Sequence, residues 1–554
     1  MSLPSRTLPP IPDETLRVAR TAFPKGSFAL HLRDLFPDLY TDACVRDLYP
    51  PQGQPAFAPW RLILVTILQF AEDLTDRQTA EAVRARIDWK CALSLPLTDP
   101  GFDYSILSEF RARLVSHAAS ERLLDTLLTE LRAQGLVRPR GRQRTDSTHV
   151  LAAIRILNRL ECVGEAVRHA LNSLAIVAPE WLQQHLQPIW AERYGHRVEQ
   201  FRLPSTIAAR TVLANAIGTD GQMLLQAIDT PSAPPWLREV PAVVTLRRIW
   251  EQQYEPSSDG TLQWRAERAL PAAPELINSP YDPDAHYSVK RTTVWTGYKV
   301  HLSETCEPDL PLVVTNVRTT PAPEPDVQAL APIQAALLAS EVAPGTHLVD
   351  QGYIDAETLV ASEQEAGIRV VGPVSHDSSW QAKEGGFTLD DFQVDWAAKQ
   401  VTCPQGAVSQ GWRETQALET AVIRVQFGAA VCRQCPVRER CTRSVEKGRS
   451  LTLRTEAAHR ALQVAREHQT TAAFKAEYAA RAGVEGLLGQ GVKAYGLRRS
   501  RYLGQAKTHL QHVVTAVALT LVRVVSWVLG AARSGVREAR FVSLMFASMS
   551  PASG

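Results

Sequence analysis

The stretch "THLVDQGYIDAETLVASEQEAGIRVVGPV", residues 346–374, constrains the fold more than any other part of the chain. A short apolar run is followed by a helical run, with Asp355 as its N-cap and Gly367 as its stop, and then by the second apolar run "IRVVGPV". Strand, helix, strand is the prediction. A crossover of that kind brings both strands into one sheet as parallel neighbours, so all-helical and purely antiparallel folds are excluded. Asp350 then stands at the carboxyl end of the first strand, where open α/β sheets place their chemistry.

Other segments extend this sheet. "TTVWTGYKVHLSE" carries Val294, Tyr298, Val300 and Leu302 in alternation, and "LPLVVTNVRTT" follows after a turn, which predicts an antiparallel pair. "TDSTHVLAAI" is a further β-prone run, entered through Asp146. A long helical stretch, about 155 to 275, is cut by the proline-rich "DTPSAPPWLREVPA". Earlier, residues 28–135 read as a small helical unit with Thr75 and Gln78 as a capping box and Gly135 as a terminator; such a unit is a helix-turn-helix DNA binder or simply packs. Asp326, in "PEPDVQAL", reads as a helix cap.

The predicted organisation is a proline-rich segment 1–27, a helical domain 28–135, the start of the core 136–154 and a helical insertion 155–285. Core strands 286–373, a loop-rich cysteine-containing insertion 374–454, carboxyl-terminal core helices 455–530 and a tail 531–554 complete it. At 554 residues with 45% hydrophobic side chains, the chain can build several cores. Its 60 Lys+Arg against 58 Asp+Glu leave a formal charge of +2, so a nucleic-acid partner must be read from local clusters. The opening residues lack the basic-then-apolar order of a secretory signal, which predicts a cytoplasmic protein. "VVTAVALTLVRVVSWVLG", residues 513–530, contains Arg523 and follows His509, Gln511 and His512, so a buried helix rather than a membrane span is expected.

Tyr478, Arg481 and Glu485 are spaced i, i+3, i+7, which puts them on one face of a helix; alone, Arg481 and Glu485 read as a surface ion pair. Together with Asp146 and Asp350 they suggest more. Three converging acids repel one another unless cations lie between them, and paired divalent ions about 3.5–4 Å apart are the usual equipment for in-line attack at phosphate. Mg2+ suits such hard oxygen ligands, and Mn2+ can replace it.

The blocks "TDSTHVLAAIRILNRLECVGEAVRHALNSLA", "SPYDPDAHYSVKRTTVWTGYKVHLSETC", "HLVDQGY" and "VEGLLGQGVKAYGLRRSRYLGQAKTHLQHV" together resemble the transposases of bacterial insertion sequences, of the DDE class. The resemblance runs in order from about residue 30 to 525. It implies an α/β fold: an RNase H-like mixed-sheet core with a helical amino-terminal domain and two insertions. It also implies Asp146, Asp350 and Glu485 as catalytic acids that bind Mg2+ for DNA strand cleavage and strand transfer. The implied partners are double-stranded DNA, as terminal inverted repeats and target, and further copies of the chain on that DNA in a nucleoid-associated assembly. Related transposases carry a Tyr, Arg, Glu, Lys signature, and Tyr478, Arg481 and Glu485 keep its Tyr-x2-Arg-x3-Glu spacing. The lysine departs from it: Val492 stands seven after Glu485, and Lys493 follows one later.

After Glu485, Lys493, Arg498, Arg499, Arg501 and Lys507 interleave with Tyr495 and Tyr502, a stretch suited to phosphate contact and base stacking, or to a solvated helix face. Arg138, Arg140, Arg142 and Arg144 abut Asp146 and are candidates to track a DNA backbone. Cys403, Cys432, Cys435 and Cys441 give C-x28-C-x2-C-x5-C. That spacing suits a structural Zn2+ site, with an iron-sulfur cluster or four unrelated thiols as the other readings. From another class, the chain reads as a noncatalytic DNA-binding transposase relic with a zinc module, or as a simple metal-dependent DNA nuclease.

Overall fold

The computed structural model describes residues 8–50, 52, 56–257, 261–417 and 420–530; residues 1–7 of the proline-rich segment and the tail 531–554 lie outside the described residues. The chain forms two compact units. One holds the amino-terminal helices up to Phe110 together with Pro308–Val313 and the described residues from Ala516, and the other holds Arg111–Glu307 and Val314–Thr515.

In the first unit the helix Asp13–Ala22 begins inside the proline-rich stretch, and Phe28–Leu35, Pro59–Ala71, Asp76–Ala85 and Ile87–Ala92 follow. The capping box at Thr75 and Gln78 forms as its sequence predicts, each side chain satisfying the other's backbone N–H. Buried Ala19, Leu30 and Cys91 tie the helices together. The helix Arg122–Ala133 belongs instead to the second unit, so the compact amino-terminal unit ends before residue 135.

The second unit is built on a six-stranded mixed sheet. Its strands are β1 (Arg142–Leu151), β2 (His286–Lys290), β3 (Thr293–Thr305), β4 (Val314–Pro321), β5 (Thr346–Val349) and β6 (Arg369–Val371). β1 lies centrally, antiparallel to β3 on one side and parallel to β5 on the other. β4 and β2 add to the far edge of β3, and β6 pairs parallel with β5. Both sheet predictions hold: the 294–320 region is an antiparallel pair, and β5, α1 (Ala356–Gln364) and β6 are the parallel crossover, with Asp355 capping α1. β5 is buried at three of its four residues because a parallel strand is covered on both faces.

Between β1 and β2 the chain leaves the sheet to form helices Arg159–Val177, Ile207–Asp229 and Pro241–Gln253 around a separate core that includes Val163, Val167, Leu224, Leu246 and Ile249. Each fully buried aliphatic there contributes roughly 1.5–3 kcal/mol. A Cβ at Gly221 would lie 2.0 Å from the Trp250 ring, so a bare backbone is what admits that indole. The second insertion, expected to be loop-rich, contains a three-stranded antiparallel sheet of Gly411–Ala417, Thr420–Gln426 and Ser450–Arg454 around Val401, Val425 and Leu453. Its strands are short and most of their exposed residues are polar, a pattern a loop shares.

The long apolar helix Gln505–Val528 is, among the described residues, the one helix long and apolar enough to cross a membrane, and 72% of its most apolar window is buried in protein.

Candidate active site

β1 and β5 run in parallel with Thr145 opposite Val349, so the next residues, Asp146 and Asp350, are neighbours at the same level. Adjacent strands are about 4.8 Å apart. Each carboxylate is oriented alike: Oδ1 of Asp146 accepts the Ser147 N–H at 2.7 Å, and Oδ1 of Asp350 accepts the Gln351 N–H at 2.7 Å. Their Oδ2 atoms both approach one guanidinium, Nη2 of Arg481 lying 2.6 Å from Asp146 and 4.0 Å from Asp350. Asp146 is 15% exposed and Asp350 47%, so the pair opens to solvent on the Asp350 side. Burial holds the Asp146 carboxyl above its ordinary pKa, and Asp350 pushes the same way, while Arg481 and the Ser147 N–H oppose them.

Arg481 reaches this point from a helical segment that tightens to 3-10 geometry midway. The predicted single helix face for Tyr478, Arg481 and Glu485 is not what forms: α2 (Ala472–Tyr478) ends at the tyrosine, a 3-10 turn covers Ala479–Gly483, and α3 (Val484–Tyr495) begins just before the glutamate. Arg144 holds this turn. Its Nη1 donates to the Ala480 carbonyl, and a Cβ at Gly483 would lie 2.1 Å from that same nitrogen. Arg144 is itself held by Glu304, directly opposite on β3, with Nε and Nη2 at 2.8 and 2.7 Å from Oε1. Both are buried, at 7% and 0% exposure. Sequence reasoning assigned Arg144 to DNA and missed Glu304, because only the strand register pairs them.

Glu485 is exposed on the first turn of α3, which packs against β1. Among the described residues no three of His, Cys, Asp or Glu are set to hold a metal ion. Asp146 and Asp350 are therefore brought together and Glu485 is not gathered with them, so these side chains as they stand do not fit a paired-ion centre. Tyr478 stacks on Phe474 with centroids 5.3 Å apart, and burial raises its phenol pKa.

Other expectations are corrected. Cys403, Cys432, Cys435 and Cys441 do line one cavity of about 320 Å³, and the Ala407 N–H donates to Cys403 Sγ at 3.3 Å. The thiols are nevertheless not arranged as metal ligands, so the Zn2+ or iron-sulfur site read from their spacing is not formed in this structure. Of the arginines before Asp146, Arg138 and Arg142 lie within 4 Å of the Glu307 carboxylate while staying 48% and 38% exposed, and Arg140 donates to the Gly367 carbonyl. Tyr495 is buried and does not present the open face expected for base stacking, and Arg111 covers one face of the half-buried Tyr502 ring at 5.0 Å. Asp326 does not cap its helix; it pairs with Lys299 at 3.0 Å and accepts from Ser147, whose side chain alternates to the opposite sheet face from Asp146.

Lys493, Arg498, Arg499 and Lys507 are exposed and Arg501 is half-buried. Arg498 Nε donates to Thr148 Oγ1 at 2.8 Å, two residues beyond Asp146 on the same face of β1. The Arg498 carbonyl and the Ser500 N–H bond both sides of Leu151, which pins this basic segment to the end of β1.

Residues 402–525, the part that supplies Arg481, Glu485 and the basic segment, match a family model described as a transposase DDE domain. Residues 17–113 match a second model, described as a transposase domain (DUF772). The two matches show the likeness to insertion-sequence transposases of the DDE class that the residues carry. No curated protein matches the chain.

Proposed function

We propose that the chain is the transposase of an insertion sequence, an RNase H-like DDE enzyme that catalyses metal-dependent DNA strand cleavage and strand transfer at transposon ends. The observation that carries this is the register of β1 and β5, which sets Asp146 beside Asp350 and turns both on the arginine of Tyr-x2-Arg-x3-Glu. The strand order supports the fold reading: three antiparallel strands (β4, β3, β1) followed by two parallel ones (β5, β6).

Asp146 and Asp350, with Glu485 brought in from the exposed first turn of α3, would hold divalent ions beside the reacting phosphate. Divalent ions such as Mg2+ or Mn2+, in enzymes of this class, activate the attacking oxygen and neutralise the leaving one. In cleavage a water oxygen attacks phosphorus and a 3' oxygen leaves; in transfer that freed 3' hydroxyl attacks a second phosphodiester and displaces another 3' oxygen. Tyr478 and Arg481, with Lys493, Arg498, Arg499, Arg501 and Lys507, lie along the phosphates, positioning the DNA without reading its sequence. Pairing two transposon ends calls for at least two protomers, in the cytoplasm on nucleoid DNA.

Mg2+-dependent nicking and joining of terminal-repeat duplex by native protein and by Asp350→Asn tests this. Loss of both in the variant is expected. That Glu485 is not gathered with the acid pair favours one rival, a noncatalytic DNA-binding relic, which native protein that binds the duplex without nicking or joining it would establish; equal nicking by the two proteins would count against the catalytic reading. Nicking without joining would mark a simple nuclease.

A further inference from the structure

Asp146 and Asp350 each spend Oδ1 on the backbone N–H of the following residue and aim Oδ2 at Arg481. Each Oδ1 keeps a second lone pair, but the two Oδ2 atoms are the ones that face a common point, so a divalent ion held between the aspartates would compete with Arg481 for them. Mg2+ binds oxygen at about 2.0–2.1 Å in near-octahedral geometry, which a guanidinium nitrogen 2.6 Å from one of these oxygens obstructs sterically and by like charge. Arg481 also carries a buried Nε with no hydrogen-bond partner among the described residues. Buried donors are rarely left so, and this one has capacity for an acceptor the chain itself does not provide. A phosphate oxygen is such an acceptor, and arginine takes phosphate through two parallel N–H bonds.

We propose that Arg481 is the resident cation of the acid pair in the DNA-free protein, and that arginine and divalent ion hold the two Oδ2 oxygens in alternation. A DNA phosphate that draws the guanidinium away opens the pair to the ion, so DNA and metal bind with positive coupling through one side chain. This rests on the reading of Asp146 and Asp350 as metal ligands. The turn Ala479–Gly483 is held by Arg144, so the exchange needs only rotation about the side-chain bonds of Arg481. By linkage the effect is reciprocal: whatever factor DNA adds to metal affinity, metal adds to DNA affinity.

Mn2+ binding to the full chain, followed by electron paramagnetic resonance of the free ion, provides the test, with and without a short nonspecific duplex. Native protein is expected to bind Mn2+ weakly alone and about tenfold more tightly with duplex, within the usual range of allosteric coupling. Arg481→Gln is expected to bind about tenfold more tightly than native without DNA and to gain nothing from duplex. Arg481→Lys, which keeps the charge, stays weak without DNA; circular dichroism confirms that each variant is folded. Asp350→Asn loses the binding in every background. Equal Mn2+ affinity of native and Arg481→Gln, with Asp350→Asn still abolishing it, would overturn the alternation while leaving the acid pair as ligands. Mn2+ binding indifferent to Asp350→Asn would overturn both.

Discussion

Glu304 is the residue whose loss should reveal how the site is held. Its carboxylate is fully buried and takes Nε and Nη2 of Arg144 at 2.8 and 2.7 Å, while the third guanidinium nitrogen holds the Ala480 carbonyl. Replacing Glu304 by Gln leaves a guanidinium that is 7% exposed with no counter-charge opposite it on β3. Removing one partner of such a pair costs about 3–5 kcal/mol, and because Gln keeps one acceptor the lower end, about 3 kcal/mol, is expected. Replacing both partners by apolar side chains, Arg144→Met with Glu304→Leu, should be near neutral, because the desolvation cost of both charges disappears with them. Urea unfolding followed by far-ultraviolet circular dichroism reads both. The double variant should regain stability yet fail to nick terminal-repeat DNA, since nothing then anchors the turn that carries Arg481. A Glu304→Gln loss below about 1 kcal/mol would refute the buried-pair argument. Full nicking activity in the stable double variant would refute the anchoring role.

Two further outcomes are expected. Gly483→Ala drives a methyl group into the Arg144 guanidinium, so a loss of about 1–3 kcal/mol with a larger fall in nicking rate is expected; native-like melting and activity would show that the turn has slack. Burial pushes His301 and His347 down to about 4 and His512 to about 3, so each is neutral in the folded chain. The unfolded chain binds their protons first, near the ordinary value of about 6.5, so stability is complete above that pH and falls toward pH 4 by up to about 1.4 kcal/mol per pH unit for each histidine. Urea midpoints at pH 7, 6, 5 and 4.5 measure the slope, and His347→Asn should flatten it; an unchanged slope would count against the buried neutral imidazole.

The sequence by itself determined the local elements and their order. The alternation of Val294 through Leu302, the N-cap at Asp355, the stop at Gly367 and the Thr75 and Gln78 box are short-range signals, each resting on the conformational preference of a few neighbouring residues, and each appears as an element of the fold. Asp350 at a strand end was legible for the same reason. Tertiary structure alone decided what each charge meets. The register that seats Asp146 beside Asp350, the pairing of Arg144 with Glu304 and the burial of Tyr495 all arise from contacts between residues far apart in the chain. A charged side chain carries no local mark of its partner. Coulomb attraction and desolvation depend on distance and burial, and these are set only when strands from opposite ends of the core are laid side by side.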